Sequence, residues 1–250
     1  MLNILKYPFL LLWTIWCALV FVFFNLLGFP FIFLFLLIKN ERLYKWAHHI
    51  PSLIAQFSLF FWGIRVKKNH LGRFDHSHQY IFIGNHRSML DALVSGACIP
   101  NYKKFIGKAE ILRWPFLGYI LKRLYIPVKR EDETSRKWSR EQLLLKMKEG
   151  FSMVIFAEGK TNTSSQPLLP FKSGAFSTSC QLQIPLVPFV IYNADNLWHR
   201  KTWLIRPGKI TLSFLPAIQP LENNEINIQK LQENAHESIL SEYLRLRNQH

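Results

Sequence analysis

Asn85-His86-Arg87-Ser88-Met89-Leu90-Asp91 places a carboxylate five residues after a proton acceptor. Near pH 7 a neutral imidazole can take a proton from a hydroxyl, and a carboxylate on its other nitrogen fixes the tautomer and stabilises the imidazolium that forms. His86 and Asp91 are therefore the candidate base and its orienting partner. The same residues admit a plainer reading. Ser88-x-x-Asp91 is also a capping-box pattern, in which Asp91 only satisfies backbone N–H groups in a helix's first turn. Ser88 has two readings as well, a covalent nucleophile or an N-cap, and its place at a helix start favours the cap.

Such a pair works only if rigid elements aim it into a cleft. The preceding run, Tyr80-Ile81-Phe82-Ile83-Gly84, is β-branched and aromatic and ends in glycine, so it reads as a buried strand, while Ser88 onward has helix composition. His86 then falls at a strand's carboxyl end, where open α/β sheets gather ligands. Further along, a short strand near Phe105-Ile106, a helical segment from Ile111 to Leu124 and a strand from Tyr125 to Lys129 are predicted. A helix from Ser135 to Lys148, closed by Gly150, leads into a buried strand from Phe151 to Ala157. Gly174 to Cys180 reads as a short helix and Ile184 to Tyr192 as a strand. Trp203 to Arg206 with Lys209 to Phe214 reads as a hairpin turning at Pro207-Gly208. Ile228, Leu231, Ala235, Ile239, Tyr243 and Leu246, three or four apart, mark an amphipathic C-terminal helix on the core. The alternation predicts an α/β fold, a mixed, mostly parallel sheet flanked by helices. It also puts His86, Arg130 and Glu158 at comparable ends of three strands, as a shared cleft requires.

The front of the chain differs in character. No charged residue occurs from Tyr7 to Ile38, a stretch longer than the roughly 20 residues that cross a bilayer. Gly28 and Pro30 divide it, which leaves one long kinked span, a re-entrant pair, or a cleaved signal; only Lys6 precedes the run and no small-x-small site comes after it, so cleavage ranks last. Ile50 to Ile64 is a second apolar stretch, either interfacial or a buried helix. The 31 Lys+Arg against 16 Asp+Glu imply a polyanionic partner. Lys39, Arg42, Lys45, Arg65, Lys67 and Lys68 flank the apolar segments as they would beside anionic lipid, and the positive-inside rule faces the remainder of the chain to the cytoplasm. No zinc-ligand spacing or RNA-recognition signature supports a nucleic-acid partner. The three cysteines are far apart in apolar surroundings and indicate neither a disulfide framework nor a metal site.

Four blocks together resemble the lysophospholipid acyltransferase family. The first is Asn85-His86-x4-Asp91. The second is Ile126-Pro127-Val128-Lys129-Arg130, preceded by Lys108-Ala109-Glu110-Ile111 and Trp114-Pro115-Phe116-Leu117-Gly118. Third comes Phe156-Ala157-Glu158-Gly159 with Leu169-Pro170-Phe171-Lys172-Ser173-Gly174-Ala175-Phe176, and fourth Ile184-Pro185-Leu186-Val187-Pro188-Phe189-Val190. The resemblance covers residues 80–192 and implies a glycerolipid-acyltransferase-like fold. It implies transfer of a fatty acyl group from a coenzyme A or acyl-carrier-protein thioester, as co-substrate with no further cofactor, to a lysophospholipid hydroxyl. The acceptor expected is 1-acyl-glycerol-3-phosphate, giving phosphatidic acid, with His86 and Asp91 catalytic and no metal. Asn85, Arg87, Lys108, Arg130, Glu158, Gly159, Lys160 and Lys172 are the implied substrate-binding set, with backbone N–H groups near Gly84-Asn85 or Gly159 as oxyanion donors. Where the family's third block reads Glu-Gly-Thr-Arg, this chain has Thr161 in place of the arginine, so Lys160 or Lys172 would supply that charge without guanidinium's fork.

Three regions are expected: a membrane-associated helical front (1–65), a catalytic α/β domain (66–220) and a C-terminal amphipathic helix (221–250). Expected partners are a lipid membrane, the lysophospholipid and the acyl thioester, not nucleic acid, with the catalytic domain on the cytoplasmic side (at the inner membrane in a bacterium). A thioesterase or lipid hydrolase using the same pair, and a non-catalytic basic membrane protein, are the competing readings.

Overall fold

Among the described residues seven strands form one sheet: β1 (Ile64–His70), β2 (Ile81–Gly84), β3 (Lys103–Lys108), β4 (Tyr125–Val128), β5 (Ser152–Phe156), β6 (Leu186–Tyr192) and β7 (Gly208–Phe214). The helices are α1 (Leu2–Leu37), α2 (Glu41–Phe61), α3 (Leu90–Cys98), α4 (Glu133–Met147), α5 (Gly174–Leu182), α6 (Ala194–Leu197) and α7 (Glu225–Asn248). The computed structural model describes residues 2–38, 40–108, 125–128, 133–198 and 202–249. The helix expected from 111 to 124 lies outside them.

Strand order is β1-β7-β6-β2-β5-β3-β4, and every neighbouring pair is parallel except β6 with β7. The sheet is therefore mixed and mostly parallel. Its strands read as unbroken apolar runs because both faces are covered. In β2, Phe82 joins one core with Val187, Phe189, Leu212 and Phe214, under Cys17 and Val20 of α1, Ala55 and Leu59 of α2, and Leu90 and Val94 of α3. Its neighbours Ile81 and Ile83 face the opposite core, with Met147 of α4, Phe176 of α5, and Leu231, Ala235 and Ile239 of α7. The amphipathic C-terminal helix thus covers one face, and the front helices share the other core with α3.

One expectation is corrected. No hairpin turns at Pro207-Gly208: Ile205 makes an isolated antiparallel bridge with Trp198, while β7 lies between β6 and β1. Those two full-length partners bury Ile210, Leu212 and Phe214, which a short strand at 203–206 could not do. Of the readings open for the apolar stretch, α1 is the single long one, running through both Gly28 and Pro30. A Cβ on Gly28 would come within 2.7 Å of Ile54 Cδ1, so its absence lets α1 and α2 touch. Beyond Pro30, Ile32 and Leu36 are buried against Ala47 and Ile54, and this packing holds the helix on both sides of the missing hydrogen bond. The second apolar stretch belongs to α2, capped by the Asn40 side chain. One face is buried through Ile54, Ala55, Ser58 and Leu59, while Leu53, Phe57 and Phe60 are exposed.

Gly84 ends β2 where the site begins. A Cβ there would run into the Phe189 ring, itself fully buried between β2 and β7. Gly84→Ala is expected to destabilise the fold by about 1–3 kcal/mol, the usual cost of overpacking a filled core. Urea melts of the two proteins check this.

Candidate active site

Beyond Gly84 the fully buried Asn85 turns the chain. Its Nδ2 donates to the Ile191 carbonyl (2.9 Å) and its Oδ1 accepts from the Ile191 N–H (2.8 Å), adding a side-chain rung between β2 and β6. His86 leaves that clamp fixed at several points. Its N–H donates to Glu158 Oε1 (2.7 Å), its carbonyl accepts from Asn162 N (2.6 Å), and its ring stacks on Phe156 at 4.3 Å between centroids. Nδ1 lies 2.9 Å from Asp91 Oδ2.

Asp91, in the first turn of α3, serves both sequence readings at once. The same Oδ2 accepts from Arg87 N (2.6 Å), Ser88 N (2.7 Å) and the His86 ring, so the carboxylate caps the turn and orients the imidazole. Burial pushes its carboxyl up, and the imidazole and backbone donors oppose that rise. Ser88 donates its hydroxyl to the Trp198 carbonyl (2.9 Å) and accepts from Leu90 N (3.3 Å), a capping contact rather than a nucleophile's.

With Nδ1–H given to Asp91, Nε2 carries the lone pair and accepts from a hydroxyl: Thr161 Oγ1 lies 3.1 Å away. Gly159 makes this possible. Its φ of +73° and its N–H bond to the Phe156 carbonyl (3.0 Å) turn the chain back, so that residues 161–162 lie against His86. Glu158 pins the return, since its Oε2 accepts from Leu169 N (2.9 Å) while Oε1 holds His86 N. Burial pushes the Glu158 carboxyl up as well, opposed by those two N–H groups.

The cations of the expected set lie in different settings. Arg87 donates to Asp195 Oδ2 (2.9 Å) and to the carbonyls of Gln166 (2.8 Å) and Ser164 (3.3 Å), with its guanidinium over the Tyr243 ring, so it clamps the loop after β5 to α6 and α7. Lys160 is exposed, and the Lys172 stem lies over Gly159. Lys108 closes β3, whose carboxyl end points the same way as that of β2, and Arg130 lies outside the described residues. Sequence reasoning did not find Phe156, Asn162 or Asp195 as supports. Only Asn162 had a signal, a small polar residue after a glycine turn; Asp195 lies 108 positions from Arg87.

Fold and site define an α/β protein that holds an imidazole between a buried carboxylate and a hydroxyl at a strand end, geometry suited to taking a proton from an alcohol. The model of the acyltransferase family matches residues 64–192, just over half the chain. The chain belongs to the acyltransferase family. It is 27% identical over 175 residues to a 1-acyl-sn-glycerol-3-phosphate acyltransferase of Limnanthes douglasii, covering 69% of this chain and 60% of that protein. To the human 1-acyl-sn-glycerol-3-phosphate acyltransferase beta it is 26% identical over 192 residues, covering 75% and 68%. The chain spans 46–60% of the length of the plant relatives from Limnanthes and Cocos nucifera. In fold it is similar to the crystal structure of the 1-acyl-sn-glycerophosphate acyltransferase from Thermotoga maritima, with a TM-score of 0.80 over 95% of both chains at 18% identity.

Proposed function

We propose that this chain is a membrane-seated O-acyltransferase that moves a fatty acyl group from a coenzyme A or acyl-carrier-protein thioester to the free hydroxyl of a lysophospholipid, 1-acyl-glycerol-3-phosphate foremost. The observation that carries the reading is the Thr161 hydroxyl on His86 Nε2, because it occupies the position an acceptor hydroxyl needs. When the acceptor displaces it, Nε2 takes the hydroxyl proton as the oxygen attacks the thioester carbonyl. Asp91 steadies the resulting imidazolium, and as the tetrahedral intermediate collapses the C–S bond breaks and the imidazolium returns its proton to the thiolate. Lys160, Lys172, Lys108 and Arg130 are the cations available to the acceptor phosphate. The Gly159 N–H is engaged in its own turn, which leaves the backbone N–H groups near Gly84-Asn85 as the candidate oxyanion donors.

Membrane seating is supported by α1. From Tyr7 to Leu37 it is long and apolar enough to cross a bilayer, with a mean hydropathy of 2.6, and many of its large side chains are exposed. A site at the interface meets a lysolipid and a fatty thioester where both partition. The basic flanks Lys39, Arg42, Lys45, Arg65, Lys67 and Lys68 support a cytoplasmic face for the catalytic domain.

The test is to incubate the detergent-purified protein and its His86→Ala variant with labelled acyl-CoA or acyl-carrier protein. Lysophosphatidic acid, lysophosphatidylcholine and lysophosphatidylethanolamine are offered in parallel, and acylated lipid and free fatty acid are measured. His86-dependent phosphatidic acid is expected; free fatty acid without acylated lipid would instead identify a thioesterase. Thr161→Val is expected to stay within about fivefold of the parent rate, because one neutral hydrogen bond of about 1 kcal/mol is lost and the acceptor replaces it. Near-complete loss in that variant would mean that Thr161 itself carries the acyl group.

A further inference from the structure

A cleft of about 660 Å³ opens away from His86, between α2, the far end of α3, β1 and the start of β3. α3 carries Asp91 in its first turn and the cleft residues Ala97 and Cys98 in its last, a separation of roughly 9–10 Å along its axis. Lys103, at the start of β3, pairs with Ser152, whereas Phe156 at the other end of β5 pairs with Gly84 beside the site. Four strand residues, about 13 Å, lie between those levels. None of the described residues placed in the catalytic machinery lines this cleft.

Its charge is of one sign. Arg42, Lys45, Lys68 and Lys103 line it together with His49, and among the described residues no Asp or Glu does. Among the described residues Arg42, Lys68 and Lys103 meet no carboxylate. Lys103 Nζ is aimed by two neutral acceptors, Ser52 Oγ (3.0 Å) and the Ile99 carbonyl (2.6 Å). Burial lowers its pKa to about 8, and the same burial together with Lys103 lowers that of His49. Crowded like charges in a concave, partly desolvated site repel one another until an anion enters.

An apolar track leads out of the same cleft. Arg42, Trp46, His49 and Leu53 fall on one face of α2, three or four residues apart, and Phe57 and Phe60 continue that face beyond the cleft. Trp46, Leu53, Phe57 and Phe60 are 57%, 44%, 49% and 75% exposed. Cations at one end and uncovered aromatic and aliphatic side chains at the other match an amphiphile with a phosphate head and a fatty tail.

We propose that this cleft is a non-catalytic binding site for one anionic phospholipid, its phosphate held by Arg42, Lys68 and Lys103 and its acyl chain laid along the Trp46–Phe60 face of α2. The inference does not depend on the catalytic reading, because it concerns binding at separate residues. It makes a specific anionic lipid a resident ligand of the fold rather than a diffuse attraction.

The full chain in zwitterionic detergent micelles is titrated with short-chain phosphatidylglycerol, inorganic phosphate and decanoyl-CoA, and binding is followed by calorimetry and by native mass spectrometry. One saturable phosphatidylglycerol per chain is expected. An Arg42→Gln/Lys68→Gln double variant, at exposed positions, is expected to bind about thirtyfold more weakly with an unchanged melting temperature. Lys103→Gln provides a second variant at the cleft floor. Equal binding by wild type and double variant would overturn the proposal. Phosphate binding as tight as the lipid's would make the cleft a free-anion site, and displacement of the lipid by decanoyl-CoA would make it part of a donor site; either result also overturns it.

Discussion

Asp91→Asn is expected to lower acyl transfer by about 10²–10⁴-fold while the protein stays folded, the range that general-base catalysis commonly contributes. The geometry makes this substitution unusually clean. Oδ2 receives all three hydrogen bonds, from Arg87 N, Ser88 N and His86 Nδ1, and an amide oxygen can stand in its place. Oδ1 is buried with no hydrogen-bond partner among the described residues, so the amide nitrogen takes a position where no existing bond is lost. The cap and the ring's tautomer survive; the negative charge beside the imidazolium does not. Burial pushes the Asp91 carboxyl up, so losing that charge also relieves a desolvation cost, and the melting temperature is expected to hold or rise. A folded variant with parental turnover would mean that Asp91 only caps α3. Measuring kcat alongside thermal melts of parent, Asp91→Asn and His86→Ala decides between the two.

The second large effect is on stability in acid. His48 is buried beside Tyr44 and Tyr102, and its pKa is lowered to about 3, chiefly by burial and then by Lys104, against a hydrogen bond with the Lys103 backbone. Between the ordinary histidine value and pH 3 the unfolded chain binds a proton that the folded chain refuses. The contribution is fully present above about pH 6.5 and is lost as the pH falls through that window. By pH 4.5 the loss is about 3 kcal/mol, at roughly 1.4 kcal/mol per pH unit. His48→Phe keeps a ring between the two tyrosines and loses the bond with the Lys103 backbone, while His48 Nε2 has no hydrogen-bond partner among the described residues. Denaturant melts from pH 7.5 to 4.5 are expected to show a shallower decline for the variant. Parallel declines would remove His48 as the acid-sensitive group.

Much of the architecture was legible in local pattern. Ile81–Gly84, Ser152–Phe156 and Leu186–Tyr192 are apolar runs bounded by Gly, Pro or polar residues, and strands covered on both faces leave that signature. β1 was missed because Ile64–His70 sits at the sheet's edge. Only Ile64 is buried there, and Lys and Arg face water. The supposed hairpin failed for a related reason: Pro207-Gly208 carries a strong turn signal, but the partners of β7 are set by distant strands that no local pattern encodes. In the site, His86 and Asp91 are five residues apart and their meeting was readable. Thr161 reaches Nε2 only because β5 lies next to β2 in the sheet, and Arg87 was read as a substrate contact because Asp195, its partner, belongs to another element.

The pairing of β1 with β7 has a consequence in time. Asn69 and Ser213 touch across 144 positions of chain, so β1 emerges during synthesis long before its neighbour exists. At the usual 5–20 residues per second that interval is about 7–30 s, during which one strand edge has no partner. Arg65, Lys67 and Lys68 on that strand discourage edge-to-edge sticking while it waits, so the nascent protein carries its protection against aggregation on the strand that needs it longest.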